Sequence, residues 1–99
     1  MDFSNQSVII TGATSGIGAA IARHFAELGA SLVLTGRSAN RGAPIAKEIE
    51  DGGGKLVFLA GDINNPKLPD DLVQLALKRF GQLDILINNA GIFHRGLCA

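Results

Sequence analysis

Four short runs of consecutive apolar residues divide the chain, and segments with a helical period separate them. The runs are Ser7–Thr11, Ser31–Thr35, Lys55–Ala60 and Leu83–Asn88. Apolar residues follow one another in each run instead of alternating with polar ones, which is typical of strands buried on both faces of a parallel sheet. The pattern therefore predicts four parallel strands covered by helices.

The intervals between these runs carry apolar residues three or four positions apart, the spacing of one helix face. These positions are Ile17, Ile21, Phe25 and Leu28 in the first interval, Ile45 and Ile49 in the second, and Leu72, Leu75, Ala76 and Phe80 in the third. Glycines that can end a helix follow each set, at Gly29, in Asp51–Gly54 and at Gly81. Pro69 and Asp70 suit the first turn of the third helix. The spacing thus predicts three amphipathic helices.

Strand and helix alternate along the whole chain, without a repeat or a low-complexity tract. Because connections between parallel strands are right-handed, this alternation winds into a doubly wound sheet. We expect an α/β fold of the Rossmann type, truncated to about four parallel strands in the order 3-2-1-4 with three helices. Residues 1–99 would form this single domain, with the fourth strand at an edge.

Composition and charge narrow the range of functions. The 99 residues carry a formal net charge of +0, which disfavours a nucleic-acid surface, and no apolar stretch is long enough to span a membrane. The first ten residues lack the basic segment of a secretory signal. Cys98 is the only cysteine, so we expect no intrachain disulfide and no metal site, and we interpret it as a tolerated residue rather than a reactive thiol. These features predict a cytoplasmic protein.

The motif TGATSGIG joins the first strand to the first helix. Gly12 can take the sharp turn, Gly16 lets an anion approach the backbone, and Gly18 lets helix and strand pack closely. The helix N-terminus offers free N–H groups and a partial positive charge, to which Thr14 and Ser15 can add hydroxyl donors. The loop therefore predicts pyrophosphate binding. Its G-x3-G-x-G spacing differs from the commoner G-x-G-x-x-G, and glycines at such a turn can also serve packing alone.

The end of the second strand lacks the acidic residue that a dinucleotide fold usually places roughly 20 residues past the glycine loop. No Asp or Glu occurs between Glu27 and Glu48, and Arg37 follows the strand. A guanidinium there can pair with the 2′-phosphate of NADP, and Ser38 can donate to the same group. The sequence therefore favours NADP over NAD. The alternative is that Arg37 is a solvated loop residue.

Three motifs together resemble the N-terminal, cofactor-binding half of the short-chain dehydrogenases/reductases. They are TGATSGIG, Gly61–Asp62 after the third strand, and NNAG at 88–91 after the fourth. The resemblance runs from about Ser4 to Ile92, nearly the whole chain. It implies a dinucleotide cofactor.

The resemblance also implies roles for single residues. Asp62 would hydrogen-bond the adenine edge, and Ile63 would flank the ring. Asn88 and Ala90 would contact the adenosine ribose and support the central strand, whereas Asn89 is as compatible with a structural role as with a ligand contact. The expected cofactor-binding residues are Gly12, Thr14, Ser15, Gly16, Ile17, Gly18, Arg37, Ser38, Asp62, Ile63, Asn88, Ala90 and Gly91.

Catalysis in this family, by the same resemblance, is hydride exchange between the nicotinamide and a carbonyl/alcohol pair. A Tyr-x3-Lys pair, a Ser and an Asn carry the proton chemistry, C-terminal to NNAG. The 99 residues contain no tyrosine, and every serine precedes the third strand. We therefore expect no catalytic residue here. His94 is the alternative acid or base, and it lacks a positioned partner in the sequence.

Two hypotheses follow from the sequence. The first is a fragment or truncated frame that forms the cofactor-binding part of an NADP(H)-dependent oxidoreductase, inactive alone and taking a small-molecule substrate only with the rest of the family fold. The second is a stand-alone nucleotide-binding or assembly module. Neither proline nor charge occurs in Ile85–Asn88, so this edge strand is expected to form a homo-oligomer or to aggregate.

Overall fold

Seven elements alternate along the chain in the computed structural model, which describes residues 3–89. They are β1 (Ser7–Thr11), α1 (Gly16–Glu27), β2 (Ser31–Gly36), α2 (Ala39–Asp51), β3 (Lys55–Ala60), α3 (Leu68–Phe80) and β4 (Ile85–Asn88). All strand pairs are parallel, and the sheet has the order β3-β2-β1-β4. This order and the three helices confirm the predicted Rossmann-like fold.

The two central strands hold the core. Every residue of β1 is buried, and so is β2 after its first residue. Val8 and Ile10 pack on the side of the sheet that α1 and α2 cover, whereas Ile9 packs on the side of α3. The uninterrupted apolar runs of β1 and β2 therefore reflect two covered faces, as expected for a parallel sheet.

The fourth strand departs from the prediction in two ways. β4 begins at Ile85 rather than Leu83, after Asp84, whose carboxylate accepts the Ser7 N–H at 2.8 Å. Leu86 is 61% exposed, so burial on both faces is wrong for this strand. The physical reason is that α3 packs on β1 and β2 and leaves that face of β4 uncovered among residues 3–89.

The first helix also differs from the prediction, at Ile17. The buried residues of α1 are the small ones Gly18, Ala19 and Ala22, which let the helix backbone approach the sheet closely. Ile17 is 66% exposed, so its assignment to the packed face is wrong. The close approach is made by the residues next to Ile17, and its own side chain projects away from the contact.

Local chemistry accounts for the helix ends. Ser15 and Ser38 are the N-caps of α1 and α2, and each side-chain oxygen accepts a backbone N–H. Pro69 and Asp70 lie in the first turn of α3, and Gly81 ends it with a φ of +79°. None of the helices within residues 3–89 combines the length and the apolar character needed to cross a membrane.

An ion pair joins α1 to α2. The Arg23 guanidinium donates to the two carboxylate oxygens of Glu48 at 2.8 and 3.1 Å. This hydrogen bonding, with the negative charge of Glu48 as the second cause, raises the pKa of Arg23 above its ordinary value. Arginine is already charged at every physiological pH, so this shift leaves the charge of Arg23 unchanged there.

Candidate functional site

The glycine loop between β1 and α1 has two different kinds of glycine. A Cβ on Gly18 would lie 2.0 Å from the carbonyl oxygen of Gly12, so this position tolerates no side chain. A Cβ on Gly16 would meet no other atom within 4 Å, so this position is open. Gly12 turns the chain with a φ of +64°. Packing therefore explains Gly18, whereas Gly16 leaves free space beside the helix N-terminus.

The side chain of Ser15 is engaged inside the protein. Its hydroxyl donates to the carbonyl oxygen of Gly12 at 2.9 Å and accepts the N–H of Gly18 at 3.0 Å. The amide of Asn89 donates to the same hydroxyl oxygen at 3.1 Å and to the Gly12 carbonyl at 3.2 Å. Ser15 and Asn89 thus fix the shape of the loop, and Asn89 has the structural role that the sequence left open.

A second polar contact ties β4 to β1. The Thr11 hydroxyl donates to the side-chain oxygen of Asn88 at 2.9 Å. Together with the Asn89 contacts, this bond holds the end of β4 against the glycine loop. The carboxyl ends of the two strands therefore form one connected edge.

A cleft of about 400 Å³ opens at the carboxyl ends of β1, β2 and β3. Among the residues predicted from the sequence, those that line it are Gly12, Thr14, Ser15, Arg37, Ser38 and Ile63. The other walls are Thr11, Thr35, Gly36, Arg41, Gly61, Asn64 and Leu68. In parallel α/β sheets this edge is where ligands bind.

The remaining predicted residues within the described range lie beside the cleft. Gly16, Ile17 and Gly18 form the first turn of α1 next to its wall. Asp62 is exposed, and its carboxylate accepts the N–H of Asn64 at 2.9 Å, which shapes the loop after β3. Asn88 lines an adjoining apolar groove that shares Ile63 with the cleft. The structure therefore brings the described parts of the three motifs to one edge of the sheet.

The lining of the cleft is positively charged. Its lining includes Arg37 and Arg41 but no aspartate or glutamate. Within residues 3–89 the ion pairs are Arg23–Glu48 and Lys47–Asp51, so neither cleft arginine is neutralised by a carboxylate there. Sequence reasoning missed Arg41, whose only signal was its position four residues after Arg37.

Gly36 explains how Thr14 reaches the end of β2. A Cβ on Gly36 would lie 2.8 Å from the side-chain methyl of Thr14, so a larger residue there would displace the Thr14 side chain. The neighbouring Thr35 hydroxyl donates to the carbonyl oxygen of Leu59 at 2.6 Å. The floor of the cleft is therefore built by small and hydrogen-bonded residues of adjacent strands.

Comparison with known proteins decides the family. The family model for short chain dehydrogenases matches residues 6–98. The chain belongs to the short-chain dehydrogenase family. It is 41% identical over 96 residues to an uncharacterized oxidoreductase of Thermotoga maritima, and this match covers 97% of the chain and 38% of that protein.

Two solved structures show a similar architecture. A metagenomic short-chain oxidoreductase in complex with NADP superposes with a TM-score of 0.82 at 38% identity, over 90% of this chain and 40% of that one. The L-sorbose reductase of Gluconobacter frateurii, complexed with NADPH and L-sorbose, gives a TM-score of 0.85 at 39% identity, over 92% and 35% of the two chains. This short-chain dehydrogenase sequence thus spans well under half the length of the relatives it matches.

Part of the predicted site lies outside the described residues, namely Ala90 and Gly91 of the NNAG motif, together with His94 and Cys98. Within residues 3–89, no group of three or more His, Cys, Asp or Glu side chains is placed to hold a metal ion. The described site therefore consists of the glycine loop, the two arginines and the loop after β3.

Proposed function

We propose that this chain is the cofactor-binding part of an NADP(H)-dependent oxidoreductase that acts on a carbonyl/alcohol pair. The observation that carries the proposal is the acid-free cleft with Arg37 and Arg41 beside the N-terminus of α1. NADP and NADPH in two solved relatives support this choice of cofactor. We propose a cytoplasmic location, because a single cysteine forms no intrachain disulfide and is typical of a reducing compartment.

The loop residues suit the pyrophosphate of such a cofactor. The first N–H groups of a helix have no intrahelical acceptor, and in α1 these belong to Gly16 and Ile17. The open space at Gly16 lets an anion reach them. We propose that Gly12, Thr14 and these amides bind the pyrophosphate, and that Ser15 acts by capping the helix rather than by donating its already engaged proton.

The adenosine would lie between the ends of β2 and β3. Arg37 and Ser38 would bind the 2′-phosphate, since a guanidinium forms charge-assisted hydrogen bonds with phosphate oxygens. Ile63, a wall of the cleft, would pack on the adenine ring, and Asp62 would accept from its amino group. Asn88, with Ala90 and Gly91, would contact the ribose. When bound, the nicotinamide would exchange a hydride with the carbonyl carbon.

Titration of the purified chain with NADP+ and NAD+ tests the proposal. Calorimetry is expected to give a lower Kd for NADP+, because the lining of the cleft is cationic and contains no carboxylate that would repel the 2′-phosphate. Equal affinity for the two cofactors would reject the NADP preference. Binding of neither would reject the cofactor site altogether.

These 99 residues alone are expected to show no dehydrogenase turnover. The sequence contains no tyrosine to act as the family's proton donor, and positioned acid–base groups contribute about 10²- to 10⁴-fold to such reactions. The measurement is NADPH oxidation with a panel of ketones and aldehydes, with a full-length short-chain dehydrogenase as the positive control. Oxidation that depends on this chain and disappears in His94→Ala would contradict the expectation.

An assembly role is the second candidate, favoured by the exposure of β4. Leu86 is 61% exposed on the strand that borders the described sheet, and exposed apolar edge strands recruit other chains. We propose that copies of this chain associate through β4. Light scattering should detect dimers or larger species that Leu86→Lys reduces, whereas Leu77→Lys, at an exposed apolar position on α3, should not reduce them. A folded wild-type monomer at high micromolar concentration would contradict this role.

A further inference from the structure

A second hollow, of about 460 Å³, lies at the amino ends of the strands, at the opposite end of the sheet from the cleft. The first residues of three strands line it, namely Ser7 of β1, Ser31 of β2 and Lys55 of β3. Its other walls come from the segment before β1 and from the end of α3. The volume falls within the range of small-molecule sites, roughly 300–1,000 Å³.

The side chain of Ser7 has an unsatisfied hydroxyl. Ser7 is fully buried, and among the buried side-chain nitrogen and oxygen atoms of residues 3–89 its Oγ is the one without a hydrogen-bond partner. Its backbone is engaged, because the N–H donates to the Asp84 carboxylate at 2.8 Å and the carbonyl accepts the Asp84 N–H at 3.0 Å. A buried hydroxyl without a partner is costly. Since Ser7 lines the hollow, a ligand there can supply the acceptor that the described residues do not.

Two cations from different elements reach the same hollow. Lys55 of β3 and Arg79 of α3 line it, and no aspartate or glutamate does. Neither cation takes part in an ion pair within residues 3–89. Arg79 also complements the dipole of α3 in its last turn, a role that it shares with Lys78. The hollow therefore combines an unsatisfied hydroxyl with two cations that have no carboxylate partner among the described residues, which favours an anionic ligand.

The neighbouring Asp84 limits the charge of that ligand. Its carboxylate accepts the side-chain amide of Gln82 at 2.7 Å, and Gln82 lines the hollow. Two cations and one nearby carboxylate leave about one net positive charge, which matches a carboxylate ligand. A phosphate monoester carries about −1.5 to −2 charges at pH 7 and fits this balance less well. Phe80 also lines the hollow and offers an aromatic surface to the body of the ligand.

We propose that the hollow is a second binding site, which takes a small aromatic carboxylate. The carboxylate would accept the Ser7 hydroxyl and pair with Lys55 and Arg79, while the ring would pack on Phe80. This site is separate from the cleft, so the proposal does not rest on the proposed function.

Titration of the ¹⁵N-labelled chain with benzoate tests the proposal. Benzoate should shift the amides of Ser7, Ser31 and Lys55 along a saturable curve, with a Kd of about 1–10 mM for a ligand of this size. Benzamide is the matched ligand, because it has nearly the same shape without the charge, and it should leave these amides unshifted. 5′-AMP should also leave them unshifted, because its phosphate carries the larger charge.

The Ser7→Ala variant separates binding from folding. The Kd for benzoate should rise about 10-fold, because a hydrogen bond to a charged acceptor is lost. The urea midpoint of the free protein should stay the same or rise, because the removed hydroxyl has no partner within residues 3–89. Lys55→Gln and Arg79→Gln should each raise the Kd about 3-fold, as expected of exposed charged contacts. The matched control is Lys78→Gln, since Lys78 lies in the same turn as Arg79 and does not line the hollow.

Three results would overturn the proposal. Absence of a saturable shift at the three amides would reject the site. Equal binding of benzoate and benzamide would mean that the hollow is an apolar surface rather than a carboxylate site. A Ser7→Ala protein that keeps the wild-type Kd for benzoate but has a lower urea midpoint would assign the hydroxyl to the fold and reject its role in binding.

Discussion

Gly18→Ala is expected to destabilise the protein more than any other single change in the site. The new Cβ would lie 2.0 Å from the Gly12 carbonyl oxygen, 2.8 Å from the Gly12 carbonyl carbon and 3.0 Å from the Ala13 Cα. All three are backbone atoms, so relief requires α1 to move away from the glycine loop. We expect the free energy of unfolding to fall by about 3 kcal/mol, the upper range for overpacking in a core. Urea denaturation followed by circular dichroism measures the loss.

Gly16→Ala is the matched control for this prediction. Nothing lies within 4 Å of its new Cβ, and alanine favours the helical state over glycine. The free energy of unfolding should therefore stay constant or rise slightly, while the added methyl group weakens NADP+ binding. A Gly18→Ala protein as stable as the wild type would contradict the close packing of α1 on the glycine loop.

Arg37→Gln is expected to remove most of the NADP+ preference. One charge-assisted hydrogen bond contributes roughly 1.5–3 kcal/mol, so the Kd for NADP+ should rise on the order of 10- to 100-fold while that for NAD+ changes little. Increasing salt should narrow the difference between wild type and variant, because the contact is solvent-exposed. Calorimetric titration with both cofactors gives the two Kd values.

The control for Arg37 is Arg79→Gln. Arg79 lies in the last turn of α3 and borders a hollow at the amino ends of the strands, together with Ser7 and Lys55. Its removal changes the net charge by the same amount and should leave both Kd values unchanged. Equal effects of the two substitutions would mean that overall charge, rather than a contact at the end of β2, sets the affinity for NADP+.

The sequence was sufficient to predict a strand correctly where helices cover both of its faces. Continuous apolar runs predicted β1 and β2, whose faces are both covered, and the rule failed for β4, where Leu86 is exposed on the face that α3 does not reach. Helical period placed Ile17 on the packed face of α1, but contact with the sheet is made by Gly18 and its small neighbours. Period alone does not show how closely a helix approaches its sheet.

The candidate site was predictable in its motifs and not in its contacts. The glycine loop and the position of Arg37 followed from order along the chain, and both lie at the same cleft. The hydrogen bonds from Asn89 to Gly12 and Ser15 join residues more than 70 positions apart, and no local pattern specifies them. Arg41 was overlooked because a charged residue on a helix is ordinarily solvated. That Arg41 lines the cleft follows from the tertiary structure, which places the start of α2 beside the cleft.

Amide chemical-shift mapping tests the central claim most directly, because it reports both binding and its location. The ¹⁵N-labelled chain would be titrated with 2′,5′-ADP and, separately, with 5′-AMP. The account predicts that 2′,5′-ADP binds more tightly and shifts the amides of Gly12–Gly18 and Arg37–Arg41, while the amides at the amino ends of the strands, such as Ser31 and Lys55, stay unchanged. Equal affinity for the two ligands, or shifts centred away from the glycine loop and the start of α2, would contradict it.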